Sequence, residues 1–91
     1  MKKLYISYST EYEKGWGSKP DGIMLAVDQN IMLAEIEKQH KEGDYEIYWR
    51  YTDPIEVYTD DENYNKLVLE LNEYNVLFSM DVSSLNLYKK I

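Results

Sequence analysis

The chain predicts an α+β fold in which two helices pack on one face of a mainly antiparallel sheet, with elements in the order β-β-α-β-β-α-β-β. Three observations carry this. Residues Lys3 to Ser9 and Tyr45 to Tyr51 alternate in the period-2 pattern of strands with one buried face. Tyr64, Leu67, Val68 and Leu71 fall at i, i+3, i+4 and i+7, the spacing of a helix with one apolar stripe. Runs of this kind alternate along 91 residues with no linker, repeat or low-complexity segment between them, so residues 1–91 read as a single domain.

Taken in order, Leu4, Ile6 and Tyr8 form the inward face of the first strand. Thr10 to Gly22 holds three of the four glycines and a Pro-Asp-Gly turn signal, which predicts a loop pinned by Trp16. Gly15 and Gly17 flank that tryptophan, but no helix with a suitably placed lysine follows, so the loop is not read as a phosphate cradle. Ile23 to Val27 is a short apolar run. Asp28 then caps a helix over Gln29 to Glu42, with Met32, Leu33 and Ile36 as its buried stripe, Glu37 and Lys41 as an i,i+4 pair, and Gly43 as its C′ residue. His40, the sole histidine, sits in the last turn, where the helix dipole favours a cationic ring.

Beyond it, Tyr45, Ile47, Trp49 and Tyr51 alternate with Glu46, Tyr48 and Arg50. After Asp53-Pro54, Ile55 and Val57 alternate with Glu56 and Tyr58, and the two runs read as a hairpin. Thr59 to Glu62 matches a capping box, with Thr59 as N-cap and a helix from Asp60 to about Asn72. Val76 to Met80 and Leu85 to Lys89 complete the sheet. If the helices cover the face bearing Leu4, Ile47, Trp49, Ile55 and Val57, the open face carries Tyr5, Tyr48, Tyr58 and Tyr88 with Glu46, Glu56 and Arg50. Tyrosine tolerates both water and a partner, so such a face suits an interface.

Charge concentrates in one stretch. Glu42 to Tyr64 holds eight acidic residues and one basic residue, a net of −7, while the remainder holds nine of each sign. A partner selected by charge is therefore basic, and nucleic acid and anionic membranes are repelled. The expected partner-binding residues are Asp44, Glu46, Tyr48, Asp53, Glu56, Tyr58, Asp60, Asp61 and Glu62. Carboxylates two apart on a strand stand roughly 6.6 Å apart, near the separation of successive phosphates, and Asp44 and Glu46 have that spacing.

No nucleophile with an orienting base is recognisable, the Asp60 to Asn63 segment lacks the glycine and ligand spacing of a calcium loop, and there is no cysteine. The expectation is a protein without catalytic residues, metal or cofactor, suited to a reducing cytoplasm. No apolar run nears the ~18 residues needed to span a bilayer, and Met1 to Ser9 lacks the apolar core of a signal peptide.

Small size, acidity and the stretches Tyr12-Glu13-Lys14-Gly15-Trp16-Gly17 and Lys19-Pro20-Asp21-Gly22 make the chain resemble phage-encoded inhibitors of bacterial defence, including anti-CRISPR proteins and other DNA mimics. That resemblance implies a non-enzymatic inhibitor acting in the host bacterial cytoplasm. Its partner would be a basic protein or ribonucleoprotein complex such as a CRISPR effector, blocked from DNA or RNA. An immunity protein or antitoxin that neutralises a basic toxin, and a small metabolite-binding domain using the Trp16 loop, are the alternatives.

Overall fold

The computed structural model describes residues 1–42 and 47–89 and, of residues 41, 42, 47 and 89, the backbone alone. The elements are β1 (Lys2–Glu13), β2 (Gly17–Ala26), α1 (Gln29–Glu42), β3 (Ile47–Tyr51), β4 (Ile55–Thr59), α2 (Asp61–Leu69), β5 (Val76–Ser79), a 3-10 turn (Val82–Leu85) and β6 (Tyr88–Lys89). The fold class is α+β, with two helices packed against an antiparallel sheet in close to the expected order.

β1 is the central strand. One of its edges pairs with β2 along nearly its whole length, and the other is shared end to end by β3 and β4. β5 extends the sheet beyond β2, and β6 extends it beyond β4. The segment expected to be a loop, Thr10 to Gly22, is instead the outer half of the β1–β2 hairpin. Its glycines serve turn and bulge geometry: Gly15 and Gly17 take positive φ at the tip. At Gly22 the register with β1 shifts, leaving Asp21 as an extra residue. Pro20 is tolerated because β5 reaches only Ile23 to Ala26, so this part of β2 is an edge.

β3 and β4 do not form a hairpin with each other. They run in the same direction along β1, with Tyr51 opposite Ser9 and Ile55 opposite Ile6. Thr52, Asp53 and Pro54 therefore stand against Ser7 and Tyr8, and the extra residue shifts the alternation so that Tyr51 and Ile55, four apart, point to opposite faces. Thr52 fills the bulge: its amide donates to the Tyr8 carbonyl at 3.0 Å, and its Oγ1 accepts from the Tyr8 amide at 3.0 Å.

The sheet has two buried faces, where one was expected, because the unbroken apolar run Ile23 to Ala26 of β2 points side chains to both; the phase shift decides which face the β3 and β4 residues join. Leu4, Ile6, Ile23, Leu25 and Val57 pack with Leu67 of α2 and Leu85 of the 3-10 turn. Met24, Ala26 and Val76, on the other face, pack with Met32 of α1, flanked by Ile36, Tyr5 and Tyr51. Each helix thus covers its own side. Ile55 and Val57 belong to the α2 side, and Tyr51 to the α1 side.

The local signals at the helix starts are partly as expected. Asp28 Oδ1 accepts from the amides of Asn30 at 2.6 Å and Ile31 at 3.3 Å, capping α1. Within α1, Met32 is buried, but Leu33 is 43% exposed and Glu35 takes a buried position. The cap of α2 is Asp60, which accepts from the Asn63 amide at 2.7 Å, and not Thr59. Thr59 ends β4 fully buried, its hydroxyl donating to the Asn86 carbonyl and accepting from Asn63 Nδ2. α2 stops at Leu69. Leu85 lies in the 3-10 turn and not in the last strand, which is limited to Tyr88 and Lys89. Gly43, Tyr45, Asp44 and Glu46 lie outside the described residues, as does the side chain of Lys41.

Candidate functional site

The expected partner-binding residues divide among separate places. Tyr48, in β3, lies against the outer half of the β1–β2 hairpin, opposite Tyr12, and the two rings stack with centroids 5.2 Å apart and planes 8° from parallel. The Arg50 guanidinium covers the Tyr48 ring at 4.7 Å, a cation–π contact. Trp16, at the tip, is 86% exposed and pins no loop.

Glu56 and Tyr58 lie on the face that α1 partly covers, across from Tyr5 and Lys3. Lys3 Nζ is 3.4 Å from Glu56 Oε1, and the Tyr58 hydroxyl donates to Glu56 Oε2 at 2.7 Å. The Glu56 carboxylate holds the Tyr58 phenol above its ordinary value, with partial burial adding to the effect. Lys3 is held protonated more firmly than usual, first by Tyr5 and then by Glu56. Tyr88 pairs with Tyr58 and is exposed. The expected tyrosine face is thus split: Tyr5, Tyr58 and Tyr88 share one side, and the bulge puts Tyr48 on the other.

Asp53 is exposed in the bulge, and Asp60, Asp61 and Glu62 are exposed at the start of α2. The ion pairs Lys3–Glu56 and Lys19–Glu11, those seen among the described residues, leave these four out. Further along α2, Leu69 is 87% exposed. Carboxylates and an uncovered leucine therefore share the outer surface of one short helix.

A second feature escaped the sequence reading. A cleft of about 440 Å³ opens where α1 ends beside the bulged part of the hairpin, with Ser9, Asp21, Gln39, Trp49 and Tyr51 among its walls. Ser9 is 6% exposed, and its Oγ has no hydrogen-bond partner among the described residues. Tyr51, directly across the strand pair from it, has its phenol raised chiefly by burial, with the Asp21 and Glu35 carboxylates adding to the shift; the nearby Ser9 hydroxyl opposes it without reaching hydrogen-bonding geometry. Sequence spacing could not assemble this cleft, because its walls come from four strands and a helix. His40 is exposed, its ring 6.3 Å from that of Tyr51. Among the described residues no group of three or more His, Asp or Glu side chains is placed to hold a metal ion, and no helix is long and apolar enough to cross a membrane.

No protein-family model matches the chain, and no curated protein and no solved structure matches it.

Proposed function

We propose that the protein is a non-enzymatic inhibitor that docks by charge on a basic, nucleic-acid-binding protein or ribonucleoprotein, such as a CRISPR effector, and keeps DNA or RNA from it. One observation carries the reading: the whole net charge of −7 falls within residues 42–64. Asp53, Asp60, Asp61 and Glu62 supply the exposed carboxylates of that stretch in the described part of the chain. Leu69, exposed about two turns along α2 from Glu62, adds apolar contact to the charged helix surface.

The test is inhibition of target-DNA binding across a panel of guide-loaded CRISPR effectors and basic nucleases. A susceptible effector should lose DNA binding, the inhibition should weaken as salt rises, and DNA should compete with this protein. The paired reversal Asp53→Lys with Glu62→Lys should relieve inhibition, whereas Glu37→Lys with Glu73→Lys, an equal change of charge outside the stretch, should leave it. An unaffected panel, or DNA and protein bound together at full affinity, overturns the reading.

A further inference from the structure

We propose that the cleft between α1 and the bulged hairpin binds a small planar heteroaromatic molecule of nucleobase size, neutral or cationic and carrying N–H donors. The volume of about 440 Å³ lies in the range of small-molecule sites, ~300–1,000 Å³. The buried, unpartnered Ser9 Oγ is the second observation. A buried polar atom without a partner is costly; the Oγ is closed to solvent in the free protein, and a ligand donor that reaches it by displacing the covering side chain removes that cost.

The remaining walls select the ligand class. Trp49, half-buried, and Phe78 and Met80, both exposed, supply flat and polarisable surface suited to an aromatic plane. Asp21 and Gln39, both half-buried, supply acceptors at the polar edge. Gln39 Nε2 is already committed to Glu35 Oε1 at 3.0 Å, which orients its amide. Among the described residues no lysine or arginine lines the cleft, so no cation in that lining compensates a phosphate, and the Asp21 carboxylate repels one. The molecule's charge of −7 acts in the same sense. A free base, nucleoside or aromatic amine fits this chemistry, and a nucleotide or a nucleic-acid strand does not.

The experiment uses the full chain carrying Trp16→Phe, a change at an exposed tip that leaves Trp49 as the reporting tryptophan. Adenine, adenosine, tryptamine and AMP are each titrated while Trp49 fluorescence is followed, with a single-stranded oligonucleotide as a further arm. At least one of the first three should saturate, and AMP and the oligonucleotide should bind at least tenfold more weakly. Ser9→Ala should weaken the bound probe roughly five- to tenfold, the worth of one hydrogen bond. It should do so without lowering the melting temperature, because the wild-type hydroxyl is unpartnered. Asp21→Asn should narrow the gap between adenosine and AMP. Absence of saturation by all three probes, equal binding of AMP, or an unchanged affinity in Ser9→Ala overturns the proposal.

Discussion

The wholly buried Ser7 hydroxyl donates a 2.6 Å hydrogen bond to the Thr52 carbonyl, across a separation of 45 residues. This contact holds the bulge against the centre of β1. Because the bulge sets which face each later side chain occupies, a small polar clasp governs which helix Val57 and Tyr51 pack against. Ser7→Ala should lower stability by about 0.5–1.5 kcal/mol, read as a shift in the denaturation midpoint at unchanged slope. Thr52→Val, which removes the acceptor for the Tyr8 amide, should cost a similar amount, and Thr52→Ser less.

Burial along α2 falls off sharply between neighbours. Leu67 is 2% exposed, whereas Leu69 projects into solvent. Leu67→Ala should therefore destabilise by roughly 2–5 kcal/mol. Leu71, half-buried against the same cluster, should cost less, and Leu69→Ala should stay within about 0.5 kcal/mol. Equilibrium unfolding of the three variants checks the ranking; equal losses would contradict the assigned helix face.

The two residues at the β4–α2 junction have different work. Asp60→Ala removes the N-cap and should cost about 0.5–2 kcal/mol, with Asp60→Asn retaining most of the stability. Thr59→Val should cost about 1–3 kcal/mol for a different reason. It removes the buried oxygen that accepts from Asn63 Nδ2 and donates to Asn86. Circular dichroism should show helix fraying in the Asp60 variant at low temperature, where the Thr59 variant remains helical.

Alkaline titration should show Tyr58 and Tyr51 ionising late, since both phenols are raised above the ordinary 10.0 in the fold. A raised folded-state value means that the protonated phenol is favoured by folding. The stability it contributes is fully present below pH 10 and is lost as pH rises through the folded values. Glu56→Gln should bring Tyr58 ionisation back toward its ordinary value and leave Tyr51 unchanged, as followed by tyrosinate absorbance.

Much of the architecture was legible because its signals are local. Asp28 as a cap, Gln29 to Glu42 as a helix, and the burial of Leu4, Ile6 and Leu67 follow from residue type and spacing alone. The outer hairpin was not legible. Gly15, Gly17 and Gly22 read as loop residues, yet a strand that must turn and bulge needs positive φ at those positions. Which face the β3 and β4 side chains occupy depends on how many residues of the other strand stand against Ser7 and Tyr8, a pairing that alternation cannot reveal. The same single-residue shift separated Tyr48 from Tyr58. The buried Ser9 hydroxyl was invisible for a related reason, since an unpartnered atom is defined by what is absent around it.

Gly22 meets the backbone closely enough that an added Cβ would lie 2.6 Å from the Ser79 carbonyl oxygen, but the longer consequence belongs to β1. As the chain emerges during synthesis, β1 and β2 can zip together once Ala26 has appeared, leaving the second edge of β1 bare. That edge stays uncovered until Thr59 has been made, because its partners come from Ile47 to Thr59. For this interval the nascent chain presents an apolar strand template able to recruit other chains. Lys2 and Lys3 at one end, and Glu11 and Glu13 at the other, place charge along that template as gatekeepers against such capture.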